Sequence, residues 1–141
     1  MLAATDDTAL LSLFQNKATR DQGFKGILNK YGQHIYYFLR GMGLGHNDAD
    51  ELLQDVFIQL WRVPAGDEPG SSVKNSLYHL AVTNYLALKT EAPLKGLSIE
   101  QSLIIVLKEQ EQFDFADIAQ IISIPVEEVR SLFKTGISKL S

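Results

Sequence analysis

Apolar side chains recur at steps of three and four through Phe24, Ile27, Leu28, Tyr31, Ile35, Phe38, Leu39 and Met42. No other feature constrains this chain so strongly. That spacing lays one apolar stripe along a long helix, starting near Asp21, and a strand cannot hold it on one face. Gly41, Gly43 and Gly45 then end the helix. The same period governs most of what flanks it, and alternating strand patterns are nearly absent, so the chain is predicted to be all-α.

A shorter helix precedes the long one, with Thr5 or Asp6 as cap and Leu10, Leu11, Leu13 and Phe14 turned inward. Asn47 is a plausible cap for the third helix, and Asp48, Asp50 and Glu51 suit its first turn, where the helix dipole is positive. Ala49, Leu52, Leu53, Val56, Phe57 and Leu60 form its buried stripe. Pro64 to Ser72 is turn chemistry. Ser71 or Ser72 caps a fourth helix through about Lys89, with Val73, Leu77, Leu80, Ala81 and Leu88 on one face and Tyr78, Val82, Tyr85 and Leu86 on another. A helix apolar on two sides is central or covered by a partner. Pro93 and Gly96 break the pattern. Three helices follow: Ser98 to about Glu109, with Ser98 and Gln101 in capping-box spacing; Asp114 to Ile122; and Val126 to Leu140. The reading is two small helical domains: four helices over 1–89, a linker over 90–96, and three helices over 97–141.

Composition narrows the function. No uninterrupted apolar run exceeds five residues, so no bilayer-spanning helix is predicted, and the first residues do not read as a secretory signal. With no cysteine, thiolate chemistry and disulfides are excluded, which fits a cytoplasmic setting. His34, His46 and His79 are the three histidines, without paired spacing. Asp48, Asp50 and Asp55 lack the glycine and terminal glutamate of a calcium loop. The Gly41-x-Gly43-x-Gly45 run follows a helix rather than a strand, so no phosphate loop is indicated. No catalytic residue, metal site or cofactor is expected.

Two surfaces carry candidate function. On the third helix, Glu51, Gln54, Asp55, Ile58 and Arg62 lie together at helical spacing, and an exposed isoleucine among carboxylates and an amide suits docking to a partly basic partner. At the C-terminus, Ser123-Ile124-Pro125 joins two helices too tightly for side-by-side packing, the geometry of a helix-turn-helix. Ile118, Ala119 and Ile122 should then meet Val129, Leu132 and Phe133. Outward candidates on the last helix are Glu127, Glu128, Arg130, Ser131, Lys134 and Ser138. A packed aromatic core is the reading for Trp61 and for Tyr36, Tyr37 and Phe38.

The stretch YGQHIYYFLRGMGLGHNDADELLQDVFIQLWR resembles the extracytoplasmic-function (ECF) type of bacterial sigma factor. Ala49 to Phe57 follow that family's A-E-D-L-x-Q-[DE]-[VT]-F helix almost position for position, with Asp50-Glu51 inverted, and Leu60-Trp61 match its ending. Leu77 to Leu86, Leu97 to Leu107 and Phe115 to Leu140 resemble its remaining helices. The resemblance implies a non-enzymatic transcription initiation factor: a region-2-like domain, then a region-4-like helix-turn-helix domain. Asp50, Glu51, Gln54, Asp55 and Ile58 would contact the clamp coiled coil of core RNA polymerase. Lys74, Tyr78, Asn84 and Lys89 would meet the −10 element of promoter DNA, and Arg130, Ser131 and Lys134 the −35 element. An anti-sigma factor is a further implied partner.

Charge sets a second reading beside the first. The whole chain carries −4, and from Leu97 to Ser141 four basic residues face seven acidic ones. Glu127 and Glu128 occupy the helix end that should attract phosphates. Beyond Asn84 the family's basic pair is reduced to Lys89. The alternative is a sigma mimic or regulator that binds polymerase or an anti-sigma factor without specific DNA binding. Ser123 stands where the family places a turn glycine, which predicts an altered turn. The linker spans at most about 25 Å, which favours domains packed on each other.

Overall fold

The computed structural model describes residues 6–62, 72–88 and 91–140. Among them the chain is all-α, with α1 Asp7–Gln15, α2 Arg20–Gly41, α3 His46–Arg62, α4 Val73–Ala87, α5 Ile99–Ile105, α6 Phe115–Ile122 and α7 Val126–Leu140. A π-helical turn, Val106–Gln110, extends α5. Thr5, Ser71, Lys89, Thr90 and the Pro64–Ser71 part of the turn segment lie outside the described residues.

Side-chain caps explain three of the seven helix starts. Ser72 Oγ accepts from the Asn75 amide at 2.9 Å. Ser98 and Gln101 form a reciprocal capping box, with bonds of 3.0 and 3.1 Å. Asp114 Oδ1 accepts from the Asp117 amide at 2.8 Å and caps α6. The cap expected at Asn47 is not used: α3 begins at His46, and the Ala49 amide bonds to the Gly45 carbonyl. Nor does Asp6 cap α1 through its side chain.

Helices α1 to α4 pack on one another. The α2 stripe is buried from Ile27 to Met42, while Leu28, counted in it from the spacing, is exposed because no element covers that edge. α4 answers the question its two apolar faces posed: it is central, packing on α2 and α3 on one side and on α6 on the other. Leu77, Tyr78, Ala81, Val82 and Tyr85 are all buried, whereas Leu86 and Leu88 face outward at its end.

Helices α5 to α7 complete the molecule, joined to the first four through one apolar core that holds residues of all seven helices. Gly136 of α7 lies so close to α5 that an added Cβ would meet Ile105 Cδ1 at 3.0 Å. Ile118, Ile121 and Val129 are fully buried, and Ala119, Ile122, Leu132 and Phe133 pack against them. The α6–α7 turn is built without glycine. Ser123 adopts the left-handed conformation (φ 61°, ψ 45°), and the Ile124 amide reaches the Ala119 carbonyl at 3.2 Å. Serine therefore makes the turn, at a backbone cost of about 1–2 kcal/mol.

Candidate functional site

The outer ridge of α3 is built as its spacing dictates. Ala49, Leu52, Val56, Phe57 and Leu60 take the core, which forces Glu51, Gln54, Asp55 and Ile58 onto the opposite side. Glu51, Gln54 and Asp55 are exposed, Asp50 is half-buried, and Gln54 Nε2 donates to Asp50 Oδ2 at 3.1 Å. Ile58 remains 48% exposed at the centre of this polar ridge.

Beside the ridge runs an apolar trough, lined by Phe24, Leu28, Leu53, Phe57, Ile58 and Trp61. Trp61 was assigned to the core by its pattern, yet it is 42% exposed. One side of its ring is pinned: the Arg20 guanidinium sits 4.9 Å from the ring and 4.0 Å from that of Phe14, and donates to the Trp61 carbonyl at 2.5 Å. The other side faces the trough. Exposed apolar groups are thus gathered beside a charged ridge. The tyrosine cluster also departs from its core assignment, for only Phe38 is buried, Tyr36 is half-buried and Tyr37 is 60% exposed.

On α7, Arg130, Ser131 and Lys134 are exposed one turn apart, with Glu127 and Glu128 exposed at the helix start. The Arg130 guanidinium lies 5.7 Å from the Phe115 ring, which leans it toward α6.

The α4 candidates have different surroundings. Asn84 exchanges a pair of hydrogen bonds with Gln59 of α3, at 3.0 and 3.1 Å, and donates to the Leu80 carbonyl at 2.8 Å. It ties α3 to α4. Tyr78 is 1% exposed, and Tyr85 is fully buried with its hydroxyl on the Met42 carbonyl. Neither ring is open for stacking in this arrangement. Lys74 is half-buried, its ammonium 4.8 Å from the Phe113 ring. Lys89 lies outside the described residues.

What covers α4 is the stretch from Glu111 through α6. Asn75 Nδ2 donates to Asp117 Oδ1 at 3.0 Å and to Gln120 Oε1 at 2.7 Å. The Tyr78 hydroxyl donates to Glu111 Oε1 at 2.6 Å, and Gln110 steadies the other carboxylate oxygen at 3.0 Å. The His79 Nδ1–H donates to the Ile121 carbonyl at 2.8 Å. The Tyr78 and Phe113 rings meet edge-on at 4.8 Å. Burial, then the bond and charge of Glu111, hold the Tyr78 phenol protonated far above the usual tyrosine range. Glu111, Asp117 and Gln120 were not among the residues singled out from the sequence. Asp117 was legible only as capping spacing, since its partner lies 42 positions away.

Among the described residues no helix is long and apolar enough to cross a membrane, and no group of three or more acidic, histidine or cysteine side chains could hold a metal ion. No family model and no curated relative matches the sequence. Solved structures do match. CnrH, solved in complex with the cytosolic domain of CnrY, superposes with a TM-score of 0.79 at 18% identity, covering 95% of this chain and 94% of its own. The sigma factor RpoE, co-crystallised with the anti-sigma factor NepR from Bartonella quintana, superposes with a TM-score of 0.71 at 18% identity, covering 84% of this chain and 94% of its own. The fold of this chain is that of these two solved structures, shared with CnrH along nearly its whole length.

Proposed function

We propose that this chain is a sigma-factor-like transcription initiation factor, which binds core RNA polymerase and directs it to promoter DNA. The observation that carries this reading is the α3 ridge. Asp50, Glu51, Gln54, Asp55 and Ile58 line the one face of α3 that the fold leaves open, and an apolar trough adjoins them. In the ECF resemblance the same face docks on the polymerase clamp coiled coil. The −35 element would be read by Arg130, Ser131 and Lys134 from α7, and the −10 element by residues of α4 including Lys74, Tyr78 and Asn84. That CnrH was solved with the cytosolic domain of CnrY, and the sigma factor RpoE with the anti-sigma factor NepR, supports an anti-sigma factor as a further partner.

Reversing Asp50 and Asp55 together to lysine tests the docking face. Both side chains lie outside the core, so the helix content of the double variant should match the parent. Co-purification with core polymerase should fall at least tenfold, because two attractive charges become repulsive at a desolvated contact. Unchanged recovery would remove the basis of this reading.

A second reading keeps the polymerase face and drops specific DNA binding. It is favoured by the exposed Glu127 and Glu128 at the start of α7 and by the net −3 of residues 97–141. Run-off transcription with core polymerase over genomic fragments separates the two. A promoter-specific transcript supports the initiation factor, and polymerase binding without any transcript supports the mimic.

A further inference from the structure

Between Asp21 and Asp48 the sequence holds no carboxylate, the longest such stretch in a chain of net charge −4. It builds most of α2, whose outward face carries Gln33, His34, Tyr37 and Arg40. Tyr37 is 60% exposed, yet its ring is braced. The Tyr36 ring meets it edge-on at 5.1 Å, and the Tyr36 hydroxyl accepts from Arg40 Nη1 at 3.0 Å and bonds to His46 Nδ1 at 2.7 Å. A fixed aromatic knob beside a guanidinium is the make-up of a protein-binding hot spot. It is a poor grip for a nucleic-acid backbone, which takes several cations to hold. Lys30, on the same face, is already in a 2.6 Å ion pair with Asp7.

The matching surface lies on the same chain. The α3 ridge presents Glu51 and Asp55 with Asp50 beside them, and next to it runs the trough of Leu53, Phe57, Ile58 and Trp61. That surface is acidic where the α2 face is cationic, and hollow and apolar where the α2 face has a projecting ring. The lengths agree as well: Lys30 to Arg40 spans about 15 Å of helix, and Asp50 to Trp61 about 16 Å. Within one chain both surfaces point away from the core, so they can meet only between copies. We propose that the ridge and trough of one copy receive the α2 face of a second copy, with Tyr37 seated in the trough and Arg40 against the carboxylates. One helix face on another is smaller than a standard interface, so the association belongs to the weak, concentration-dependent class. A copy whose ridge is filled cannot offer it to polymerase. That consequence rests on the sigma-factor reading, whereas the contact itself does not.

Sedimentation of the full chain from micromolar to sub-millimolar concentration, at low and high salt, tests the contact. The average mass of the parent should rise with concentration and fall back as salt screens the charges. Emission of the single tryptophan, Trp61, should move to shorter wavelength in step, because its exposed side becomes covered. Two variants each break one side. Tyr37→Ala with Arg40→Glu leaves the ridge native, and Glu51→Lys with Asp55→Lys leaves the α2 face native. All four side chains are exposed, so helix content should match the parent. Each variant alone should associate at least tenfold more weakly than the parent. Mixed in equal amounts they should form a heterodimer, because the ridge of the first meets the α2 face of the second. Lys95→Glu makes the same charge change as Arg40→Glu at an exposed position on neither helix, and should associate as the parent does. A parent that stays monomeric throughout, as it would if a different acidic protein were the occupant, overturns the proposal. So does association that survives in either variant, or a mixture that yields no heterodimer. Failure of the parent to co-purify with core polymerase would remove the sigma-factor reading and leave the self-association standing.

Discussion

Gly23 is where one missing methyl decides how two helices meet. An added Cβ would overlap the Phe14 backbone nitrogen and come within 2.7 Å of its Cα. The atoms in the way are main chain, so α1 and α2 would have to part. Gly23→Ala should therefore destabilise the protein despite the helix propensity it adds. A net loss of about 2 kcal/mol is expected, from overpacking less the alanine gain, seen as a Tm lower by roughly 4–8 °C. A variant as stable as the parent would mean that the α1–α2 contact yields freely. The sequence shows Gly23 only as a glycine inside a helical run, because close approach is a property of the neighbour. Trp61, Leu28 and Tyr37 teach the same thing. Spacing places each beside an apolar stripe, but whether a stripe edge is covered depends on which helix packs there. Ser72, Ser98 and Asp114 were legible as caps because their partners lie three residues away.

At the scale of elements, α1 is held by an acid-sensitive clasp. Asp7 makes a 2.6 Å ion pair with Lys30 and accepts a 2.6 Å hydrogen bond from the Tyr31 hydroxyl, both across to α2. Partial burial raises the Asp7 carboxyl, but the bonds from Lys30 and Tyr31 and the Lys30 charge outweigh it, and the group titrates below the ordinary aspartate range. A carboxyl depressed in the folded state contributes stability above its unfolded pKa of about 3.9 and loses it as pH falls through the lower folded value. Docking of α1 should thus weaken below about pH 4. Amide exchange at Leu10 to Phe14 should accelerate there in the parent, and Asp7→Asn should lack that acid step. The two partners being half-exposed keeps the effect modest. Helix number, order and most boundaries could be read from periodicity and caps. The π-helical turn could not, since its sequence continues the α5 pattern without a break. Pairing of α4 with α6 was half-visible: two apolar faces demanded a cover, and only the fold says that α6 supplies it.

For the whole molecule, the distribution of cations limits how it can hold duplex DNA. The exposed last helix offers three, Arg130, Lys134 and Lys139, while Lys108 lies 4.7 Å from the Phe115 ring and Lys74 is half-buried against Phe113. Each phosphate neutralised contributes about −0.9 to the slope of log affinity against log salt. A chain gripping duplex DNA through α7 should therefore show a slope no steeper than about −2.7, or roughly a 40-fold loss from 50 to 200 mM salt. Glu127 and Glu128 push toward the shallow side of that bound. Anisotropy titrations of a labelled 30-base-pair duplex at four salt concentrations would measure that slope. A slope near −6 would mean that cations of helices α1 to α4 reach the phosphates as well, and the arrangement of charge described here would have to be redrawn.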